Sequence, residues 1–320
     1  MAECITASPE HIQRAAAALR DGKLVAFGTE TVYGLGGDAT NDHAVASIFE
    51  AKGRPRFNPL ISHVADTDTA FRHGMATPLA EKLARAFWPG PMTLVLKRHG
   101  DCPVSPLALA DLESIALRVP ANPLAREFLR AAATPVAAPS ANRSGRISPS
   151  RAGHVMDDLG DSPHLALVLD TGAATEGIES TVIDARGARP VILRPGSITA
   201  ADIETVTGIA PKTNDAADDG IVSPGQLKSH YAPQLPLTLN ASAAGPETAF
   251  IGFGEMHQPN AGFQFNLSPD GDLVEAAAQL YHLLRAADQS GASEIAMAPI
   301  PDVAIGIAIN DRLRRAAQRD

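Results

Sequence analysis

At 320 residues and 33.3 kDa the chain has room for one large α/β domain or two smaller ones, and its 45% hydrophobic and 20% charged residues exclude disorder throughout. The 27 Lys and Arg against 36 Asp and Glu leave a formal charge of −9, which argues against wrapping nucleic acid by bulk electrostatics, and 4% aromatic residues make a base-stacking platform a poor expectation. Cys4 and Cys102 show neither a CxxC nor a metal-ligand spacing, so a disulfide scaffold or structural zinc site is not expected.

The first helix has clear ends. Ser8 is placed to cap it, Pro9 suits its first position, and Ile12, Ala15, Ala16 and Leu19 form one apolar stripe before Asp21-Gly22 stops it. Leu24 to Phe27 reads as a short buried strand, followed by a loop from Gly28 to Gly37. Ala44, Val45, Ile48 and Phe49 share a helical face, Leu60 to Val64 reads as a strand, Leu79 to Phe87 as a helix and Met92 to Leu96 as a strand. A strand ending at Val119, a helix opened by Asn122-Pro123 and a short strand at 135–138 come next, and Ser148-Pro149 repeats the cap-plus-proline signal. Strands are expected near 165–170, 180–184 and 190–194. This switching period argues a layered α/β domain over residues 1–207.

From 208 to 234 the chain reads as a linker: it opens with Asp-rich, aperiodic residues and then carries Ser223-Pro-Gly225 and His230-Tyr231-Ala-Pro233. A smaller α/β unit over 235–320 has its best helix around 272–289, a strand at Ile295 to Ala298 and a final helix ending in Asp311-Arg-Leu-Arg-Arg-Ala-Ala. Residues 1–205 carry 20 basic and 23 acidic groups, which leaves 7 and 13 for residues 206–320, so the C-terminal part is the poorer host for an anion. The N-terminus has no basic start followed by an apolar run, and no apolar run is long enough to span a bilayer, so a cytoplasmic protein with no membrane contact is expected.

Three cations stand together at Lys52-Gly-Arg54-Pro-Arg56. They suit phosphate or carboxylate oxygens, although a solvated helix end would carry the same charges. The loop Pro139-Ser140-Ala-Asn142-Arg-Ser144-Gly145 and Ser148 beyond it offer hydroxyl donors, as an ordinary Ser/Gly turn also would. Gly34-x-Gly36-x-x-Ala39 satisfies a relaxed dinucleotide fingerprint only weakly, since Lys52 and Arg54 stand where an acidic ribose ligand is expected. His63 in an apolar strand reads first as a core histidine. There is no P-loop and no GxSxG. Residue types alone therefore point to a site for an anionic, phosphorylated small molecule, without naming a reaction.

Taken in order, Thr29-Glu-Thr31-Val-Tyr33-Gly, Lys52-Gly-Arg54-Pro with Asn58-Pro59-Leu, Ser114 with Leu-Arg118-Val-Pro120, Pro139-Ser140-Ala-Asn142 with Ser144-Gly, Glu179-Ser180-Thr181-Val, Leu-Arg194-Pro-Gly196 and the His230-Tyr231 segment resemble the YrdC-like family in its long, two-domain form. The resemblance covers nearly the whole chain. It implies a YrdC-like twisted mixed open sheet with helices, plus a smaller Rossmann-like C-terminal α/β domain. It further implies an ATP-dependent nucleotidyl transfer: L-threonine, bicarbonate and ATP give threonylcarbamoyl-adenylate and pyrophosphate, with Mg²⁺ accompanying ATP, and the product serves tRNA modification through a downstream tRNA threonylcarbamoyltransferase.

By the same resemblance Arg54, Asn58, Ser114, Ser140, Ser148, Arg194 and Tyr231 are expected at ATP, with Lys52 near the phosphates and Lys52 with Arg54 as the catalytic cations. Thr31, His63, Arg118, Ala138 and Ser180 are expected around threonine, Arg118 on its carboxylate. Residues 211–233 are expected to fold over the site as a lid, and the final helix to serve packing. No protein cage for a metal and no single general base is assigned. The rival readings are an RNA-binding YrdC-like module without synthase activity, a carbamoyl-adenylate enzyme of hydrogenase maturation, and a nicotinamide-dependent oxidoreductase.

Overall fold

The computed structural model describes residues 1–213 and 230–318. Ser223-Pro-Gly225, and most of the segment expected to form a lid, lie outside the described residues. The chain opens with a strand that the sequence does not signal, β1 (Glu3–Thr6), followed by α1 (Pro9–Arg20), whose first turn is capped by Ser8 as expected, the His11 amide donating to its hydroxyl. Next are β2 (Leu24–Gly28), β3 (Tyr33–Asp38), α2 (Asp42–Lys52), β4 (Ile61–His63), α3 (Thr67–His73), α4 (Pro78–Phe87), β5 (Met92–Lys97) and α5 (Pro106–Leu109). Then come β6 (Ser114–Arg118), α6 (Pro123–Ala132), β7 (Val136–Ala137), α7 (Ala152–Leu159), β8 (Leu165–Asp170), β9 (Thr181–Asp184), β10 (Val191–Arg194), α8 (Ala200–Thr207) and β11 (Lys212–Thr213). The C-terminal part holds β12 (Leu237–Thr238), β13 (Thr248–Gly252), β14 (Phe263–Asn266), α9 (Leu273–Asp288), β15 (Glu294–Met297) and α10 (Gly306–Ala317).

The large sheet runs β1-β8-β2-β3-β7-β4-β6-β5-β9-β10-β11 and mixes parallel with antiparallel pairs. The small sheet, β12-β15-β13-β14, is parallel throughout. Side-chain alternation gives the large sheet a core on each face. Val25 and Phe27 of β2, with Leu167 and Leu169 of β8, pack under α1 and α6, whereas Leu24, Ala26 and Val168 face the core of Ile48, Leu83 and Val155. A third core joins α9 and α10 to β13 and β15, and it takes in Val32, Ile147 and Ile178 from the N-terminal half, so the two halves share apolar packing.

Two readings are corrected. The segment from Gly28 to Gly37 is not one loop: only 29–32 turn, and Tyr33 onward forms β3, antiparallel to β2. Its glycines hide it from propensity, yet they are required, because a Cβ at Gly36 would stand 2.9 Å from Val136 Cγ1 and 3.0 Å from the Val25 carbonyl. The weak dinucleotide fingerprint is therefore a strand, not a phosphate-binding turn. Ser148 does not cap a helix: α7 begins at Ala152 with Arg151 in the cap position, and the Ser148 hydroxyl is taken by Glu179.

Candidate active site

The cavity lies where β4 and β6 end, beside the turn from β2 to β3. β4 and β6 are parallel with His63 opposite Arg118, so strand register alone places these two side by side. Arg118 is buried and donates through Nη2 to Glu30 Oε1 at 2.7 Å and through Nε to the Gly90 carbonyl at 3.4 Å. Burial would raise the Glu30 pKa, but Arg118 outweighs it and keeps the carboxylate ionised below the usual range. His63 is pushed down to about 3 by burial and by Arg118, so its ring is neutral. In the turn, Thr29 Oγ1 donates to the Val32 carbonyl at 2.7 Å, and the Thr29 and Thr31 hydroxyls are paired at 2.8 Å. Thr29 faces the cavity. Thr31 is fully buried behind it and does not line it.

Ala138 and Ser140 form the next wall, and glycine at 34 permits it, since a Cβ there would meet Ala138 Cβ at 3.1 Å. At the end of α2, Gly53 takes φ 62°, and the turn it allows directs Arg54 inward. Arg54 donates to the Asn58 and Pro59 carbonyls at 3.3 and 3.1 Å, which shapes its own loop, and burial lowers its pKa to about 10. Lys52 does not reach the cavity lining. Its Nζ donates to the Ser140 and Asn142 carbonyls, both at 2.5 Å, and thereby ties the serine loop to α2. Burial, then the nearby Arg54 charge, depress its pKa well below that of an ordinary lysine. Asn58 and Ser114 are also buried without lining the cavity, and neither end of the Asn58 amide has a side-chain partner.

The far wall is made by Ser180, just before β9, and Arg194, which closes β10. Arg194 donates through Nε and Nη2 to the Ser180 carbonyl at 3.1 and 3.0 Å and through Nη2 to its hydroxyl at 3.2 Å. That hydroxyl is also paired with Thr93 Oγ1 at 2.8 Å. His230 and Tyr231 also line the cavity; Tyr231, at φ 66°, stacks on Tyr281 with centroids 5.7 Å apart. With these rings in place the cavity is about 50 Å³, against roughly 300–1,000 Å³ for a drug-sized ligand site.

Eight of the thirteen residues expected at the site therefore line one cavity: Arg54, His63, Arg118, Ala138, Ser140, Ser180, Arg194 and Tyr231. Thr31, Lys52, Asn58, Ser114 and Ser148 do not line it. Sequence reasoning missed Glu30 and Glu179 as site groups. Glu179 lines the cavity and is nearly buried, its carboxylate accepting from Ser148 Oγ (2.6 Å), Tyr281 OH (2.8 Å) and Arg312 Nε (3.0 Å). Burial opposes its ionisation, but Arg312, Arg194 and the hydroxyl donors hold it at about 2. The available signal was a carboxylate directly before Ser180. The final helix, expected only to pack, reaches this wall through Arg312.

Residues 17–196 match the Sua5–YciO–YrdC family model, described as "Telomere recombination", and residues 198–318 match the model described as "Threonylcarbamoyl-AMP synthase, C-terminal domain". A threonylcarbamoyl-AMP synthase of Bacillus subtilis is 39% identical over 334 aligned positions, covering 98% of this chain and 95% of the relative. One from Pyrococcus abyssi is 38% identical, covering 96% and 94%. The crystal structure of P. abyssi Sua5 complexed with L-threonine superposes with a TM-score of 0.88 at 35% identity, over 99% of this chain and 97% of that one. The chain therefore belongs to the Sua5–YciO–YrdC family, in its two-domain threonylcarbamoyl-AMP synthase form.

Proposed function

We propose that this cavity joins L-threonine, bicarbonate and ATP into threonylcarbamoyl-AMP with release of pyrophosphate. The observation that carries the reading is the convergence of three buried guanidinium groups, Arg54, Arg118 and Arg194, on one cavity beside the threonine-rich turn. Bicarbonate loses hydroxide to give carbon dioxide, the neutral threonine amine adds to its carbon, and the amine proton leaves with that hydroxide as water, so a carbamate results. A carbamate oxygen then attacks the α-phosphorus, and pyrophosphate leaves with the electrons of the broken P–O bond. Several anions must approach one another, so fixed cations and preorganised donors supply most of the acceleration.

Arg118 would exchange part of its pairing with Glu30 for the threonine carboxylate, a fork suited to carboxylate oxygens. Ala138 and Ser180 would bound the amino acid, with Thr31 acting through the Thr29 hydroxyl. His63, neutral and weakly basic, would orient the substrate rather than take its proton. Arg54, Ser140, Arg194 and Tyr231 would meet the nucleotide, while Lys52, Asn58, Ser114 and Ser148 would act by shaping the loops around it. A cavity this small would have to widen to admit both substrates, and movement of the lining residues His230 and Tyr231 would serve that; their return would exclude water from a hydrolysable adenylate.

Mg²⁺ is expected with ATP. Phosphate oxygens and water would supply most of the ion's ligands. In this reading residues 1–207 form the catalytic unit, 208–234 a linker and 235–320 a supporting unit. The free thiols of Cys4 and Cys102 suit a reducing cytoplasm, and a tRNA threonylcarbamoyltransferase would take the product. None of the described helices is long and apolar enough to cross a membrane.

Pyrophosphate release measured with ATP, Mg²⁺ and bicarbonate tests the reading directly. Release should require both bicarbonate and L-threonine, with L-serine a poor substitute. Folded protein that releases none with threonine, yet shifts RNA in a salt-sensitive way indifferent to ATP, would favour the RNA-binding alternative instead.

A further inference from the structure

Arg312 of α10 is 1% exposed, although it belongs to the C-terminal part of a chain whose cavity is built by the N-terminal sheet. Its guanidinium spans the gap between them. Nε donates to Glu179 Oε2 at 3.0 Å, and Nη2 donates to the Pro195 carbonyl at 2.9 Å. Nη1 is held by Asp311 Oδ2 at 2.8 Å, and the guanidinium carbon stands 5.5 Å from the centre of the Tyr231 ring. Glu179 immediately precedes Ser180, and Pro195 immediately follows Arg194. One side chain thus grips the outer neighbours of the two residues that form the far wall and are bonded to each other. Tyr281 of α9 donates to the same carboxylate oxygen and stacks on Tyr231, so the two C-terminal helices reach the wall together.

We propose that Arg312, supported by Tyr281, is a positioning residue for the synthase reaction, holding the Glu179–Ser180 turn and the Arg194–Pro195 strand end in the arrangement that presents Ser180 and Arg194 to the substrates. The proposal rests on the synthase reading. It ties the C-terminal helices to the chemistry indirectly, through the wall that carries Ser180 and Arg194. A second consequence follows from charge: without Arg312 the Glu179 carboxylate would lose its strongest partner at the edge of a cavity that must accept anions. Lysine would restore the charge but cannot bridge an acid and a carbonyl with a planar fork.

Full-length wild type, R312K, R312M, E179Q and the double variant E179Q/R312M are compared in threonine- and bicarbonate-dependent pyrophosphate release. Melting temperatures and hydrogen exchange of the amides at 179–182, 194 and 196 are measured alongside. R312K should melt near the wild type yet lose about 10-fold in kcat/KM for threonine, and its wall amides should exchange faster. R312M should lose more, and E179Q/R312M should recover part of that loss because the unpaired charge is gone.

Wild-type kcat/KM in both R312K and the double variant would overturn the proposal, as would losses that only track the unfolded fraction. Wild-type protein without threonine-dependent release would overturn the synthase reading instead. Exchange at the wall would then decide the positioning role by itself: faster exchange in R312K supports it and unchanged exchange refutes it.

Discussion

Arg118 and Glu30 form a pair with side-chain exposures of 4% and 7%, and their 2.7 Å contact is a charge-assisted bond in a poorly solvated site. Removing either partner alone would leave a buried charge uncompensated, at a cost of about 3–5 kcal/mol. Arg118→Lys is the more telling change, because it keeps the charge and loses the fork. It should raise KM for threonine at least about 10-fold while leaving KM for ATP within about twofold. Steady-state kinetics with each substrate varied in turn checks this, and an equal rise in both values would place Arg118 outside the amino-acid end of the site. Arg118 and His63 were expected at this end only through the family resemblance, since by residue type a histidine in an apolar strand reads first as a core residue. Glu30 was not, because only the fold shows that the turn from β2 to β3 passes beside the end of β6.

At the scale of elements, α9 sits against the N-terminal half through close backbone contact and not only through side chains. Gly177 has φ 69°, and a Cβ there would lie 2.4 Å from both the Ala277 carbonyl oxygen and the Ala278 Cα. Arg285 adds a clamp across the same face, donating to Asp158 Oδ2 at 2.6 Å. Gly177→Ala should destabilise this seam by about 1–3 kcal/mol, through strain and forced separation together. A thermal melt with limited proteolysis would show a lower Tm and earlier cleavage in the C-terminal part; an unchanged melt would mean that α9 is not packed this tightly.

Cap-plus-proline signals located α1 and α6 because a cap is a contact between neighbours in sequence. The same signal failed at Ser148-Pro149, where a partner 31 residues away takes the hydroxyl. β3 escaped notice because its glycines serve close packing between strands, which propensity does not register.

Across the whole molecule, burial of neutral histidines makes stability depend on pH. His63 and His230 are both pushed down to about 3, by burial first, with Arg118 adding to it at His63 and the nearby cations at His230. Below about pH 6.5 the unfolded chain binds protons that the native state refuses, so stability is full above that pH and falls as pH drops toward 3. Glu179, depressed to about 2, acts in the same direction below about pH 4.5. Each histidine contributes a slope of about 1.4 kcal/mol per pH unit in its window. Urea midpoints at pH 7.5 and 5.5 should therefore differ clearly, the lower pH being the less stable; equal midpoints would mean that these rings are protonated or solvated in the native state.

Local signals were enough to read most of the alternation of helices and strands, whereas the individual site residues were named only through the family resemblance. Periodicity, caps and residue type act over a few positions, so they are readable without the fold except where a distant partner intervenes, as Glu179 does at Ser148. The strand order of the large sheet, the burial of Lys52 behind the cavity and the wall formed by Glu179, Tyr281 and Arg312 were decided only by tertiary packing. Arg312 and Glu179 are 133 residues apart in the chain. Nothing short-range distinguishes such an arginine from a solvated one on a terminal helix, because its role arises only where segments distant in the chain meet on one buried carboxylate.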